Sequence, residues 1–146
     1  MSLLTFTLIQ SNLHWENKEA NLKMWEEKIV SIKEKTEVVL LPEMFSTGFS
    51  MKPEEFAEKI DGPTVEWMKR IAIDRKIILT GSLIIEDEEK YFNRLLWILP
   101  NGGYGYYENI SVIGYITEPA EGATIITKGG NKFPITAQGW NAFTSK

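Results

Sequence analysis

The run Glu37 to Pro42, EVVLLP, constrains the fold more than any other part of the chain. Val38 to Leu41 are aliphatic without polar alternation, the pattern of a strand shielded from water on both faces inside a layered α/β protein. The flanking sequence agrees. Leu3 to Ile9, LLTFTLI, alternates about Thr5 and Thr7 and predicts a strand. Residues 17–35 place Leu22, Trp25, Ile29 and Ile32 at helical spacing, with Asn17 as the cap. Asp61-Gly62-Pro63 opens a second helix with Thr64, Trp67, Met68, Ile71 and Ala72 on one side. Ile77 to Glu86 predicts a strand with Gly81 in its middle, a position that marks a bulge or a close backbone approach. The acidic turn EDEEK joins it to a hairpin partner, Tyr91 to Pro100. The expected order, β-α-β-α-β-β, is an α/β sheet packed by helices.

A chain of 146 residues suits a single domain, 1–146, with a real core. Net charge is −4 and no basic stripe is present, which argues against nucleic acid as a partner. No apolar run approaches the roughly 20 residues of a membrane span, and the N-terminus lacks a basic segment ahead of an apolar one, so a cytoplasmic protein is expected. The sequence has no cysteine, which removes disulfides, thiolate metal sites and any Cys nucleophile from these residues. His14 is the single histidine, so neither a His-rich metal site nor a freely placed Ser-His-Asp triad is available, and it reads as a surface or capping residue. After Asn101 the texture changes: 6 of the 36 charged side chains and 8 of the 11 glycines lie there. No amphipathic helix is visible in that tail. ISVIGYI and ATIIT are its candidate strands, and the rest reads as irregular.

Glu43 is the foremost candidate for chemistry. It follows a buried strand, and α/β proteins gather reactive groups at the carboxyl ends of strands. Pressed between Leu41, Met44 and Phe45, its carboxylate would be desolvated and tuned toward work as a general base. The alternative is a carboxylate that accepts backbone N–H bonds from the following turn. Asn93 and Arg94 interrupt an apolar strand; Arg94 either pairs with an inward carboxylate such as Glu43 or, as favoured, faces solvent. Gly102, Gly103 and Gly105 in PNGGYGYY lack phosphate-loop spacing and read as a hairpin turn. The run Glu86 to Glu89 reads as a solvated loop rather than a metal site.

LLPEMFSTGFSM, DGPTVEWMKRIA, ILTGSLIIE and YFNRLLWILPNG, in this order, resemble the N-terminal half of the nitrilase superfamily, closest to its ω-amidase-like branch. The resemblance spans Leu3 to about Tyr107, with residues 108–146 divergent. It implies an α-β-β-α sandwich of which this chain holds the N-terminal part and a small linear amide as substrate; no metal or other cofactor is expected, and the sheet face that a half-sandwich leaves uncovered makes a homo-oligomer the expected state. It also implies a mechanism in which a Glu activates a Cys, the thiolate attacks the amide carbonyl, a Lys stabilises the oxyanion, and water cleaves the thioester. Glu43 matches the family's Glu, and Phe45 and Phe49 match positions that shape the acyl pocket, although either could be core. Asn109 stands where the family has its Lys and carries no charge. The family's Cys has no counterpart here, and Ser111 or Thr47 would be a far poorer nucleophile.

The expectation is therefore an amidase by descent that is truncated or altered after residue 107, inactive by itself. A non-catalytic binding or assembly module that pairs an uncovered sheet face with another copy, or with a partner chain that supplies the missing half, is the second expectation.

Overall fold

A computed structural model describes residues 4–108, 124–126 and 132–134 of the chain. Two compact units make up the protein, residues 1–110 and 111–146. The first runs β1 (Phe6–Leu8), α1 (Lys18–Ser31), β2 (Val38–Leu40), α2 (Pro53–Phe56), α3 (Pro63–Arg75), β3 (Ile78–Asp87), β4 (Lys90–Ile98) and β5 (Tyr104–Glu108). In the second, β6 (Thr124–Ile126) pairs antiparallel with β7 (Lys132–Pro134), so the ATIIT strand forms, while ISVIGYI lies outside the described residues.

The five strands of the first unit form one sheet in chain order. β1, β2 and β3 are parallel, with Val39 between Thr7 and Leu79, and β3, β4 and β5 are antiparallel. The apolar run at Val38 and Val39 is fully buried, as a strand between two parallel neighbours should be. Helices α1 and α3 cover the face that carries Leu79, Leu83, Ile85, Leu96 and Ile98. Their own contribution is Trp25, Ile29, Val65, Met68, Ile71 and Ala72. Each large side chain taken fully out of water here is worth about 1.5–3 kcal/mol. The other face carries the row Leu8, Leu40, Thr80, Trp97, in which Leu8 and Trp97 remain exposed.

Local sequence explains where the helices start. The Asn17 side chain accepts from Ala20 N at 3.0 Å and caps α1. That helix stops at Ser31, short of the expected Lys35, because Ile32 turns extended. α3 begins at Pro63, whose missing N–H costs nothing in a first turn, and ends where Lys76 enters the left-handed region at φ 54°.

Its N-terminus is held by Glu58, a residue without a place in the sequence reading. Glu58 Oε2 accepts from Thr64 N at 2.8 Å, and Oε1 accepts from the Thr64 hydroxyl and from Lys18 Nζ at 2.7 Å. Gly62 permits this approach, since a Cβ there would lie 2.7 Å from Glu58 Oε2. The Glu58 backbone also bonds to Ile84 O and Glu86 N, hooking the segment after α2 onto β3.

Two sequence expectations need correction. Arg94 does not face solvent. It is 2% exposed, its Nη2 donates to Asp87 Oδ2 at 2.9 Å, and its guanidinium lies over Tyr106 and Phe92 at 4.3 and 5.3 Å. The acidic turn supplies the carboxylate that lets a cation enter this strand. PNGGYGYY is also only half turn: Gly102 takes φ 81° and its N–H bonds Leu99 O, but Tyr104 onward is strand β5. Among the described residues no helix is long and apolar enough to cross a membrane.

Candidate active site at the carboxyl end of β2

Leu41 continues the ladder past β2 by donating to Thr80 O at 2.8 Å, and Pro42, without an N–H, ends it. The chain then reverses sharply. Met44 is left-handed at φ 47°, and its carbonyl accepts from Thr47 N and Gly48 N. A methionine pays a steric cost in that region, so the surrounding bonds must over-determine it.

They come from both sides of the loop. From β3, Ser82 Oγ accepts from Met44 N at 3.0 Å and Ser82 O accepts from Phe45 N at 3.2 Å. From α1, Trp25 Nε1 donates to Phe45 O at 2.8 Å, and Asn21 Nδ2 donates to Ser46 O at 2.9 Å and to His14 O at 2.8 Å. Asn21 and Trp25 are both fully buried. Gly81 completes the seat, because a Cβ there would lie 2.8 Å from Phe45 Cδ1 and 3.0 Å from Leu41 Cβ. The close approach expected of this glycine is real.

The reversal sends Met44 and Phe45 inward and leaves Glu43 outside. Glu43 is therefore exposed, not pressed between Leu41, Met44 and Phe45, because the left-handed turn separates its direction from theirs. Its Oε1 accepts from Asn93 Nδ2 at 2.6 Å. Among the described residues it forms no ion pair, and Arg94, next to Asn93, points to the opposite face of β4. An ionised carboxylate only accepts, so the Asn93 atom facing it is the nitrogen, and the amide oxygen turns inward. Among the described residues that oxygen is buried without a partner, a cost of about 1–3 kcal/mol.

The other sequence candidates separate cleanly. Phe45 is wholly in the core, its ring 6.0 Å from that of Trp67, whereas Phe49 is 56% exposed. The Thr47 hydroxyl is buried and donates to Gly48 O. His14 is exposed on the surface, and its backbone N–H donates to Asn21 Oδ1. Asn109 and Ser111 lie outside the described residues. Among the described residues no cluster of His, Asp or Glu could hold a metal ion. Beside the loop, Lys52 and the Ser50 hydroxyl donate to Glu16 and lower its pKa. The supports missed from sequence are Asn21, Trp25 and Ser82. Asn21 was signalled by falling on the buried stripe with Trp25 and Ile29.

β2 thus delivers the Glu43 carboxylate to solvent at the carboxyl end of a parallel strand, with one oxygen held by a neutral amide and, among the described residues, no partner for the other. The model of the carbon-nitrogen hydrolase family matches residues 5–132, and the chain belongs to that family. It is 32% identical over 102 residues to the omega-amidase YafV of Yersinia enterocolitica, covering 70% of this chain and 39% of that protein. Among solved structures it resembles the CN-hydrolase superfamily protein XC1258 of Xanthomonas campestris, at 34% identity and TM-score 0.70, covering 74% of this chain and 41% of that one. An N-terminal amidase solved with an Asn-Glu-Ala peptide matches at 25% identity and TM-score 0.64, over 72% of this chain and 28% of that one. The chain thus spans about two fifths of the length of the curated relatives it matches.

Proposed function

We propose that this chain carries the general-base part of an ω-amidase-like site, with Glu43 as the base, for the hydrolysis of small linear amides to acid and ammonia. One observation carries the reading: Glu43 stands at the carboxyl end of β2 with one oxygen fixed on Asn93 and the other open. Family membership and the omega-amidase relatives support the reaction type.

In that chemistry the carboxylate takes the proton of a thiol, and the thiolate adds to the amide carbonyl. Ammonia leaves with a proton returned by the carboxyl group, and the same carboxylate activates the water that cleaves the thioester. The 146 residues contain no cysteine, and Asn109, at the family's Lys position, offers a hydrogen bond but no charge. These residues by themselves therefore do not turn over an amide. The test is ammonia release from a short ω-amide by the pure chain: none above the blank is expected, and turnover overturns the inactivity.

A second reading is assembly through the sheet face opposite the helices, with another copy as partner. The exposed Phe6, Leu8, Leu95, Trp97 and Tyr107 favour it. Size-exclusion chromatography decides it, since a monomer at high concentration counts against this pairing.

A further inference from the structure

Asn93 lies between Tyr91 and Leu95 on its face of β4, opposite Ile84 of β3, and it is half-buried. An asparagine here is poorly placed for stability alone. Leu95 adjoins it and Ile84 stands directly opposite, and among the described residues its buried amide oxygen has nothing to bond. Leucine at this position would remove the orphan oxygen and add apolar contact. What asparagine supplies instead is a single short bond, 2.6 Å, to the carboxylate of a residue fifty positions earlier in the chain.

We propose that Asn93 is the positioning residue of Glu43: its amide N–H holds Oε1 and leaves Oε2 as the oxygen turned toward a proton donor. The proposal rests on the reading of Glu43 as a base. Without Asn93 the exposed Glu43 side chain has no other hydrogen-bond donor among the described residues, so its carboxylate samples several rotamers. With Asn93 in place, the strand that pairs with β3 fixes the acid from one side while Ser82 of β3 fixes the loop from the other. Base and loop are thus referred to one rigid hairpin, which is what holding a proton acceptor in a productive geometry requires.

The test is side-chain NMR on the 13C,15N-labelled full chain, reading the Asn93 amide and the Glu43 carboxyl and methylene signals. In the unaltered protein one Asn93 Hδ2 signal is expected well downfield of its twin and protected about tenfold or more against exchange with water. E43Q should abolish most of that shift with the backbone spectrum otherwise kept. N93L should collapse the Glu43 side-chain signals to the positions of a free glutamate, while the thermal midpoint holds or rises because the orphan oxygen is gone. An Asn93 pair at free-amide positions, unmoved by E43Q, overturns the proposal. So does a lowered midpoint or failure to fold in N93L, which makes Asn93 a structural residue. The two readings fail separately: an unshifted Asn93 signal removes only the positioning role, whereas ammonia release found against the expectation above, and unchanged in E43Q, removes Glu43 as base and leaves the hydrogen bond standing.

Discussion

Glu58 and Glu43 are both carboxylates placed just outside regular elements, and they have opposite surroundings. Glu58 is 8% exposed and accepts from a lysine, a backbone N–H and a hydroxyl. Glu43 is exposed, accepts from one neutral amide and keeps an oxygen open. A fully engaged carboxylate ties elements together and has nothing left to offer a substrate. A partly engaged one contributes little to the fold and remains able to take a proton. The distinction is invisible in residue type and lies wholly in the count and charge of donors.

Substitution should separate the two most sharply. Glu58→Ala leaves the Thr64 N–H and hydroxyl buried without an acceptor and removes the lysine's partner, and should cost about 2–4 kcal/mol. Glu43→Ala should stay within about 0.5 kcal/mol in the same urea titration. Equal losses would erase the contrast. The loop between them comes next: Asn21→Ala, which deletes bonds to both His14 and Ser46, should cost about 2–3 kcal/mol. A smaller penalty, about 1–2 kcal/mol, is expected for Gly81→Ala, whose Cβ meets the Phe45 ring. An unchanged melting temperature there would mean that the Phe45 seat is loose.

Glu26 provides an intermediate case. Its hydrogen bonds from Arg70 lower its pKa, and it is partly exposed. A folded-state pKa below the unfolded value contributes stability that is present above about pH 4.5 and is lost as pH falls further. Glu26→Gln should therefore lower stability at pH 7 by less than about 1 kcal/mol, change it little well below pH 4, and so flatten the acid limb of the stability curve. A larger change at pH 3 than at pH 7 would contradict this.

Much of the scaffold was legible because its signals are local. The Asn17 cap, the Pro63 start and the stripe Trp67, Met68, Ile71 depend on neighbours within a turn or two, and all three stand in the structure. Val38 and Val39 carried enough apolar surface to be read as an interior strand. Glu43 was legible as a candidate residue, but its surroundings were not. Its exposure depends on Met44 adopting a left-handed conformation that methionine does not advertise. Arg94 was misjudged for a related reason: a cation can enter a sheet when a distant carboxylate and two rings receive it, and single-residue hydrophobicity does not encode that pairing. Glu58 escaped notice because its partners, Lys18 and Thr64, converge from two different helices.

The β3–β4 hairpin also sets an order of events during folding. Its nine registered pairs run without interruption from Leu79↔Ile98 to Asp87↔Lys90. They close through Glu88 and Glu89, both left-handed, which matches the twist of the flanking strands. Such a hairpin closes over a short stretch of chain and needs little loop entropy. The Glu43–Asn93 bond must bring together groups fifty residues apart, and the parallel pairing of β2 with β3 waits on a crossover through α2 and α3. Topology thus places the receiving amide before the arriving acid: Ser82 and Asn93 are already fixed when Glu43 docks. The corner that holds Glu43 is expected to be among the last parts to form, and a kinetic probe on Glu43 should lag one on Trp97.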